Sequence, residues 1–286
     1  MSTPVLLEAE ALHQQLNAPK LLILDLSSED NYLAGHIPGA VHFPPSWLLR
    51  GEGDVPNYVP TESQLSERLS SLGLAPDTWV VAYDDQMGPW AGRLMWTLHL
   101  LGHKQVSVLN GHLPAWKAAG YELEQKPNGR ESSLFTATFH EPIRTTRDML
   151  LEHDHLTVWD ARAFEEYTGE KAVNVKQAGH IPGAIWLEWT ELLESKELPR
   201  LKPEAELKTL LESRGLSQDK TIVTHCQTHR RSGLTYLAAR SLGYPHIHCY
   251  DGSWFEWGNH PDSPVVKGPH PHNGTTDASA PLASGD

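Results

Sequence analysis

The hexapeptide GHIPGA stands at Gly35–Ala40 and again at Gly179–Ala184. Ahead of the first copy runs LLILDLSSEDNY, with Asp25 and Tyr32. Ahead of the second runs LTVWDARAFEEY, with Asp160 and Tyr167. Further along, NGHLPAW (Asn110–Trp116) parallels DGSWFEW (Asp251–Trp257), and Leu-Gly pairs ending at Gly102 and Gly243 precede short apolar runs. Landmarks in one order, at nearly constant offsets, indicate duplication of a unit of about 120 residues. The 286-residue chain therefore reads as two tandem copies of one domain.

Within each copy, short apolar runs of strand length (LLILDL, WVVAY, LTVWDA, TIVTH) alternate with helix-like segments. In SGLTYLAARSLG, Leu234, Leu237, Ala238 and Leu242 recur at helical spacing, and Gly243 falls where a C-cap is expected. Strands alternating with helices predict parallel βαβ units. The fold class is therefore α/β, two doubly wound domains, each a mainly parallel sheet flanked by helices. The expected division is residues 1–125 and 144–266 for the domains, 126–143 for a linker, and 267–286 for a flexible Gly-, Pro-, Ser-, Ala- and His-rich tail.

A formal net charge of -13 argues against general affinity for nucleic acid or anionic membrane. An anionic substrate would then need a local cationic pocket, which makes any Arg cluster informative. No apolar stretch approaches the roughly 18 residues of a membrane span. The N-terminus MSTPVLLEAEALHQQL lacks a basic region and does not resemble a signal peptide. Two cysteines, Cys226 and Cys249, make no disulfide framework, so a cytoplasmic protein with reduced thiols is expected.

The chemistry concentrates in TIVTHCQTHRRSGLTYLAARSLG, where Cys226 follows an apolar strand and a helix begins about six residues later. Ligands of doubly wound sheets sit at the carboxyl ends of strands. A loop from strand to helix turns successive N–H groups inward as an anion nest. Those N–H groups, the helix dipole, Arg230 and Arg231 would all lower the Cys226 pKa. Cys249, in PHIHCYDG, has no cationic neighbours in sequence and reads as structural.

These landmarks, the strand–Cys–loop–helix and the closing DGSWFEWG resemble tandem-domain rhodaneses over nearly the whole chain apart from the tail. The loop CQTHRRSG is similar to that of a bacterial subgroup with CQTH followed by Arg and Ser. The resemblance implies a six-residue active loop, Cys226 to Arg231, whose amides hold a persulfide, and an inactive first domain beside a catalytic second one. Aligned without gaps on Gly102 and Gly243, Asp85 stands opposite Cys226, and a carboxylate cannot accept sulfur.

The expected activity is thiosulfate:cyanide sulfur transfer by double displacement through Cys226, with no cofactor beyond the covalent persulfide. Its partners would be thiosulfate, sulfite and cyanide, with a thiol or protein as a further acceptor. Arg231 is the first candidate for gripping the sulfonate, since a planar fork suits oxyanions. Arg230 would do the same or only steer. Arg162, in WDAR, is comparable to an active-site Arg of the family, with a structural pairing to a carboxylate as the alternative. Gln227, Thr228, His229 and Ser232 would shape the persulfide loop, and His229 would adjust charge near neutral pH. Trp186, Trp189 and Trp254 would line the pocket or the core. His36 and His180 recur in both copies and read as structural, and no His group has metal spacing.

Three other readings use the same residues. A rhodanese-fold phosphatase or arsenate reductase needs Cys-x5-Arg, but Arg231 is at x4 and Ser232 at x5. A 3-mercaptopyruvate sulfurtransferase carries Cys-Gly-Ser/Ala-Gly and apolar residues, unlike the cationic QTHRR. A persulfide carrier delivering sulfur to a protein would show the same loop.

Overall fold

The computed structural model describes residues 3–140 and 142–272. The first sheet orders its strands Leu6–Leu7, Val106–Leu109, Trp79–Tyr83, Leu21–Asp25, Val41–His42. The second orders Ile185–Trp186, Thr157–Asp160, Ile222–His225, Ile247–Tyr250, Arg144–Thr145. Read from opposite ends, these are the same order, and every pairing within both sheets is parallel. The central strands are buried along almost their whole length, which is why they read as continuous apolar runs. An antiparallel hairpin, Arg50–Glu52 with Val55–Tyr58, belongs to the amino-terminal domain.

The repeated motif is a latch. Tyr32 Oη donates to Ala40 O (2.9 Å), and Tyr167 Oη donates to Ala184 O (2.8 Å). His36 stacks on Tyr32 with ring centroids 3.8 Å apart, and His180 on Tyr167 at 3.7 Å. Each Tyr–His pair ties the helix after one strand to the turn before the next. This gives both histidines the structural role expected of them.

The two domains meet through the helices Pro89–Leu100 and Arg231–Ser241. They cross at Gly92 and Gly233. A methyl group on Gly92 would lie 2.1 Å from Gly233 O, and one on Gly233 would lie 2.3 Å from Pro89 O. Only glycine permits that approach. Around it, Leu94, Trp96 and Leu98 of one helix and Leu234, Tyr236 and Leu237 of the other join one hydrophobic core that spans both domains. The second helix ends as the sequence predicts, with Gly243 in the left-handed region (φ 77°).

Residues 126–140 of the expected linker run along the first domain. Ser133 N donates to Ser70 O and His140 N to Leu100 O, both at 2.9 Å. The first residues assigned to a tail are attached to the second domain. Gly268 N donates to Thr168 O and Gly183 N to Pro271 O, both at 2.8 Å. The remainder of that tail lies outside the described residues. Among the described residues, no helix is long and apolar enough to cross a membrane.

Candidate active site

Cys226 follows the strand Ile222–His225 directly and has no exposed surface. Its backbone is held on both sides. Trp254 N donates to Cys226 O (2.9 Å), and Cys226 N donates to Ser253 Oγ (3.4 Å). Ser253 has φ 53° and anchors its hydroxyl on Tyr250 O (2.9 Å). The closing motif DGSWFEW thus braces the thiol from the neighbouring strand's end.

Burial by itself raises a thiol pKa, since it penalises the charged form. Here that effect is outweighed. The Arg231 charge, a hydrogen bond from Ser232 Oγ (3.5 Å to Sγ) and the backbone N–H groups of Ser232 and Thr228 bring the Cys226 pKa below its ordinary value. Cys249 shows the uncompensated case, for burial pushes its thiol well up. The two buried cysteines thus differ as their neighbours in sequence differ, one thiol drawn down by a cation and hydrogen bonds and the other pushed up by burial.

The loop around the thiol is shaped by specific contacts. Gln227 Nε2 donates to Val173 O (2.6 Å), and Gln227 O accepts from Phe255 N (2.9 Å). His229 adopts φ 53°, unusual for a residue other than glycine, and its Nδ1 lies 2.8 Å from Ser232 Oγ. Its ring meets Trp96 edge-on at 4.6 Å. The expectation that His229 adjusts charge near neutral pH is not met. Complete burial, with Arg93 beside it, drives its pKa well below the ordinary value. It is a neutral link between the loop and Ser232.

The three arginines have different settings. Arg231 grips Glu166 in a bidentate pair, Nη1 to Oε2 at 2.6 Å and Nη2 to Oε1 at 2.9 Å, with its charge also acting on Cys226. That pair holds the Glu166 carboxyl below the usual range despite burial. Arg230 is exposed and lies over the Trp90 ring of the first domain at 5.7 Å. Arg162, expected at the substrate, is buried instead. Its guanidinium grips Asp160 (Nε–Oδ1 2.9 Å, Nη2–Oδ2 2.5 Å), donates to Gly179 O (2.7 Å) and lies over Trp254 at 4.3 Å. This is the structural pairing that the sequence left as the alternative. Trp254 is core, while Trp186 and Trp189 are partly buried.

The equivalent loop of the first domain departs from the ungapped alignment. Asp25 pairs with Tyr83 as Asp160 pairs with His225, so the residue after each strand is Asp84 or Cys226. Between the paired strand end and the crossing glycine, the first loop holds one residue more. Asp84, not Asp85, therefore takes the place of Cys226. Its carboxylate fills the nest of its own loop. Oδ1 accepts from Gln86 N and Gly88 N (both 2.8 Å), and Oδ2 from Trp90 N (2.9 Å) and Ala91 N (3.0 Å). Asp85 instead accepts from Asn31 Nδ2 (2.7 Å).

Sequence reasoning missed Glu166, Ser253 and Arg93. Arg93 Nη1 donates to Thr228 O (3.1 Å) and His229 O (3.0 Å) of the Cys226 loop from the opposite domain. The available signal was a single Arg in the largely apolar helix PWAGRLMWTLHL.

Two doubly wound domains, with a thiol cradled at the mouth of one, define the class. The family of rhodanese-like domains matches residues 8–119 and 145–260, and the chain belongs to it. It is 42% identical over 265 residues to the thiosulfate sulfurtransferase of Pseudomonas aeruginosa, covering 92% of this chain and 97% of that one. It is 31% identical to the 3-mercaptopyruvate sulfurtransferase of Escherichia coli, over 93% of this chain and 99% of that one. The crystal structure of SseA from Escherichia coli, a 3-mercaptopyruvate sulfotransferase, superposes with a TM-score of 0.78 at 30% identity, covering 88% of this chain and 99% of that one.

Proposed function

We propose that this sulfurtransferase takes a sulfane sulfur from thiosulfate and passes it to cyanide or a thiol through a persulfide on Cys226. The observation that carries the reading is a fully buried thiol whose pKa is nonetheless lowered by Arg231, Ser232 and two loop N–H groups. A thiol so stabilised is ionised at lower pH than an ordinary cysteine, and the thiolate is the nucleophile.

The thiolate attacks the outer sulfur of thiosulfate. The donor's S–S bond breaks, its electron pair leaves with sulfite, and Cys226 carries the terminal sulfur as an anion. Cyanide then attacks that sulfur, thiocyanate departs, and the thiolate returns. Loop N–H groups stabilise the charge on the terminal sulfur as an oxyanion hole does. Arg231 neutralises the incoming dianion, which competes with Glu166 for the guanidinium.

Thiosulfate is favoured over 3-mercaptopyruvate by the cationic loop and by the higher identity to the thiosulfate sulfurtransferase. The test is the rate of thiocyanate formation with either donor, using Cys226→Ala as blank. A thiosulfate preference that vanishes in the blank is expected. A mercaptopyruvate preference overturns the substrate assignment. Negligible cyanide turnover by a protein whose Cys226 still becomes persulfidated would instead assign it as a sulfur carrier.

A further inference from the structure

Arg93 belongs to the amino-terminal domain, has no exposed surface, and directs four hydrogen bonds to backbone carbonyls. Nη1 serves Thr228 and His229 of the Cys226 loop. Nη2 serves Leu48 O (3.1 Å), just before the hairpin of its own domain, and Asn57 O (2.7 Å), in that hairpin's second strand. One guanidinium thus clamps the thiol-bearing loop to two segments of the other half.

Packing alone does not account for an arginine there. Burying a cation carries a desolvation cost, and burial lowers the Arg93 pKa to about 10 against the pull of Asp251 and the Cys226 thiolate. Pseudo-symmetry supplies the control. Gly92 and Gly233 are equivalent at the crossing, so the residues after them, Arg93 and Leu234, are equivalent too. Leu234 reaches across to the Asp84 loop, where its Cδ1 lies 2.8 Å from the position of a methyl on Gly88. The loop stabilised by its own carboxylate receives a leucine from its neighbour. The loop that carries the thiol receives an arginine.

We propose that Arg93 is a positioning residue for sulfur transfer, supplied to the Cys226 loop by the other domain. In a trans peptide the C=O and N–H point in opposite directions. By holding Thr228 O and His229 O toward itself, Arg93 turns the N–H groups of His229 and Arg230 toward the concave side of the loop. There they add to the N–H groups of Thr228 and Ser232 that act on the thiolate, and meet the terminal sulfur of its persulfide. The inference rests on Cys226 being the sulfur carrier and gives the first domain a part in that chemistry. The charged and titratable groups around the loop are Arg231 with its partner Glu166, His229, His225 and Asp160 of its own domain, Arg144, Asp251 and Cys249 beside them, and Arg93 across the interface.

The test compares Arg93→Met and Arg93→Lys with the wild type by three readouts. These are the pH midpoint of Cys226 alkylation by iodoacetamide, the split between kcat and KM for thiosulfate, and stability in urea. Arg93→Met should lower kcat about 100-fold, the scale of losing one preorganised donor, and leave KM within about threefold because Arg231 is untouched. Its alkylation midpoint should rise by about one unit. Arg93→Lys keeps the charge but not the fork, so it should restore the midpoint more fully than kcat. In Arg93→Ala, added guanidinium ion should recover part of the lost rate. A folded Arg93→Met with the wild-type midpoint and kcat, or with a loss confined to KM, overturns the proposal. Should these variants fail to fold, the wild type decides. On persulfide loading with inorganic polysulfide, the amide protons of His229 and Arg230 should move downfield, and unmoved amides overturn it. Absence of thiosulfate turnover in the wild type would sink the substrate assignment while leaving the alkylation and amide readouts able to judge Arg93.

Discussion

At the carboxyl end of a central strand, each domain makes the same turn into a helix and fills it differently. In the amino-terminal domain the Asp84 carboxylate accepts four loop N–H groups at 2.8–3.0 Å. In the carboxy-terminal domain the Cys226 sulfur takes that place, with Ser232 and the N–H groups of Thr228 and Ser232 around it. The residues behind both differ in parallel. Asp84 N donates to His112 Nδ1 (3.3 Å), whereas Cys226 N donates to Ser253 Oγ (3.4 Å). His112 and Ser253 share φ 53°, so one backbone turn supports both. The comparison teaches that the fold itself supplies an anion nest. One copy closes it with the Asp84 carboxylate, and the other leaves it to the Cys226 sulfur, the group proposed to take on and release sulfur.

Emptying the closed nest should have the largest effect. Asp84→Ala leaves several buried N–H groups without acceptors, and stability should fall by about 4 kcal/mol, read from urea unfolding. Added sulfate should recover more stability in this variant than in the wild type, because the vacated nest can bind it. Wild-type stability in the variant would mean that the four bonds are not what holds the first loop.

Acid should next distinguish the two strand ends, where Tyr83 stands opposite His225. Burial lowers the His225 pKa to about 4, since Arg162 already satisfies the Asp160 carboxylate near it. An unfolded chain protonates this His below about pH 6.5, but the folded chain does so only near pH 4. The stability it contributes is therefore complete above pH 6.5 and is lost as the pH falls to about 4, roughly 3 kcal/mol in all. His99, lowered to about 3 by burial, adds to the same trend. In a urea series over this window, His225→Gln should show a shallower loss than the wild type. An identical slope would break the assignment.

Arg231→Met tests the cation that the Asp84 loop lacks. The expected loss in kcat/KM for thiosulfate is about 100-fold, roughly 2.7 kcal/mol, with the alkylation midpoint of Cys226 shifted up. Combining it with Glu166→Gln separates the missing cation from the carboxylate left unpaired. An unchanged KM would place the sulfonate elsewhere. The smallest effect belongs to Glu166→Gln alone. Releasing Arg231 from its competitor should lower KM about threefold, the scale of a partly screened ion pair. A rise in KM would show that Glu166 holds Arg231 in the posture the substrate needs.

Much of this was legible in the residues. GHIPGA, its partner tyrosines and the Leu-Gly pairs announced the repeat, because each serves a local latch or cap that any copy of the domain requires. Cys226 was legible because strand, thiol, loop and helix are contiguous. Arg162 was misjudged because its partner Asp160 lies two residues away, and spacing does not tell which side of the strand a guanidinium will reach. Asp85 was aligned in place of Asp84 because the extra residue falls inside the loop, where no landmark marks it.

The chain by itself determined the duplication, the α/β class and the place of the Cys226 thiol after a central strand, all of which depend on periodicity and on neighbours in sequence. The tertiary structure alone decided what surrounds that nucleophile. Glu166 is 65 residues from Arg231, and Arg93 is 135 residues from Thr228. The first depends on how one domain folds its own helices together, and the second on how two helices cross at Gly92 and Gly233, and no local propensity encodes either. A buried thiol's ionisation depends on the sum of desolvation and nearby charge, and that sum exists only once the loop, its helix and Arg231 have packed around Cys226.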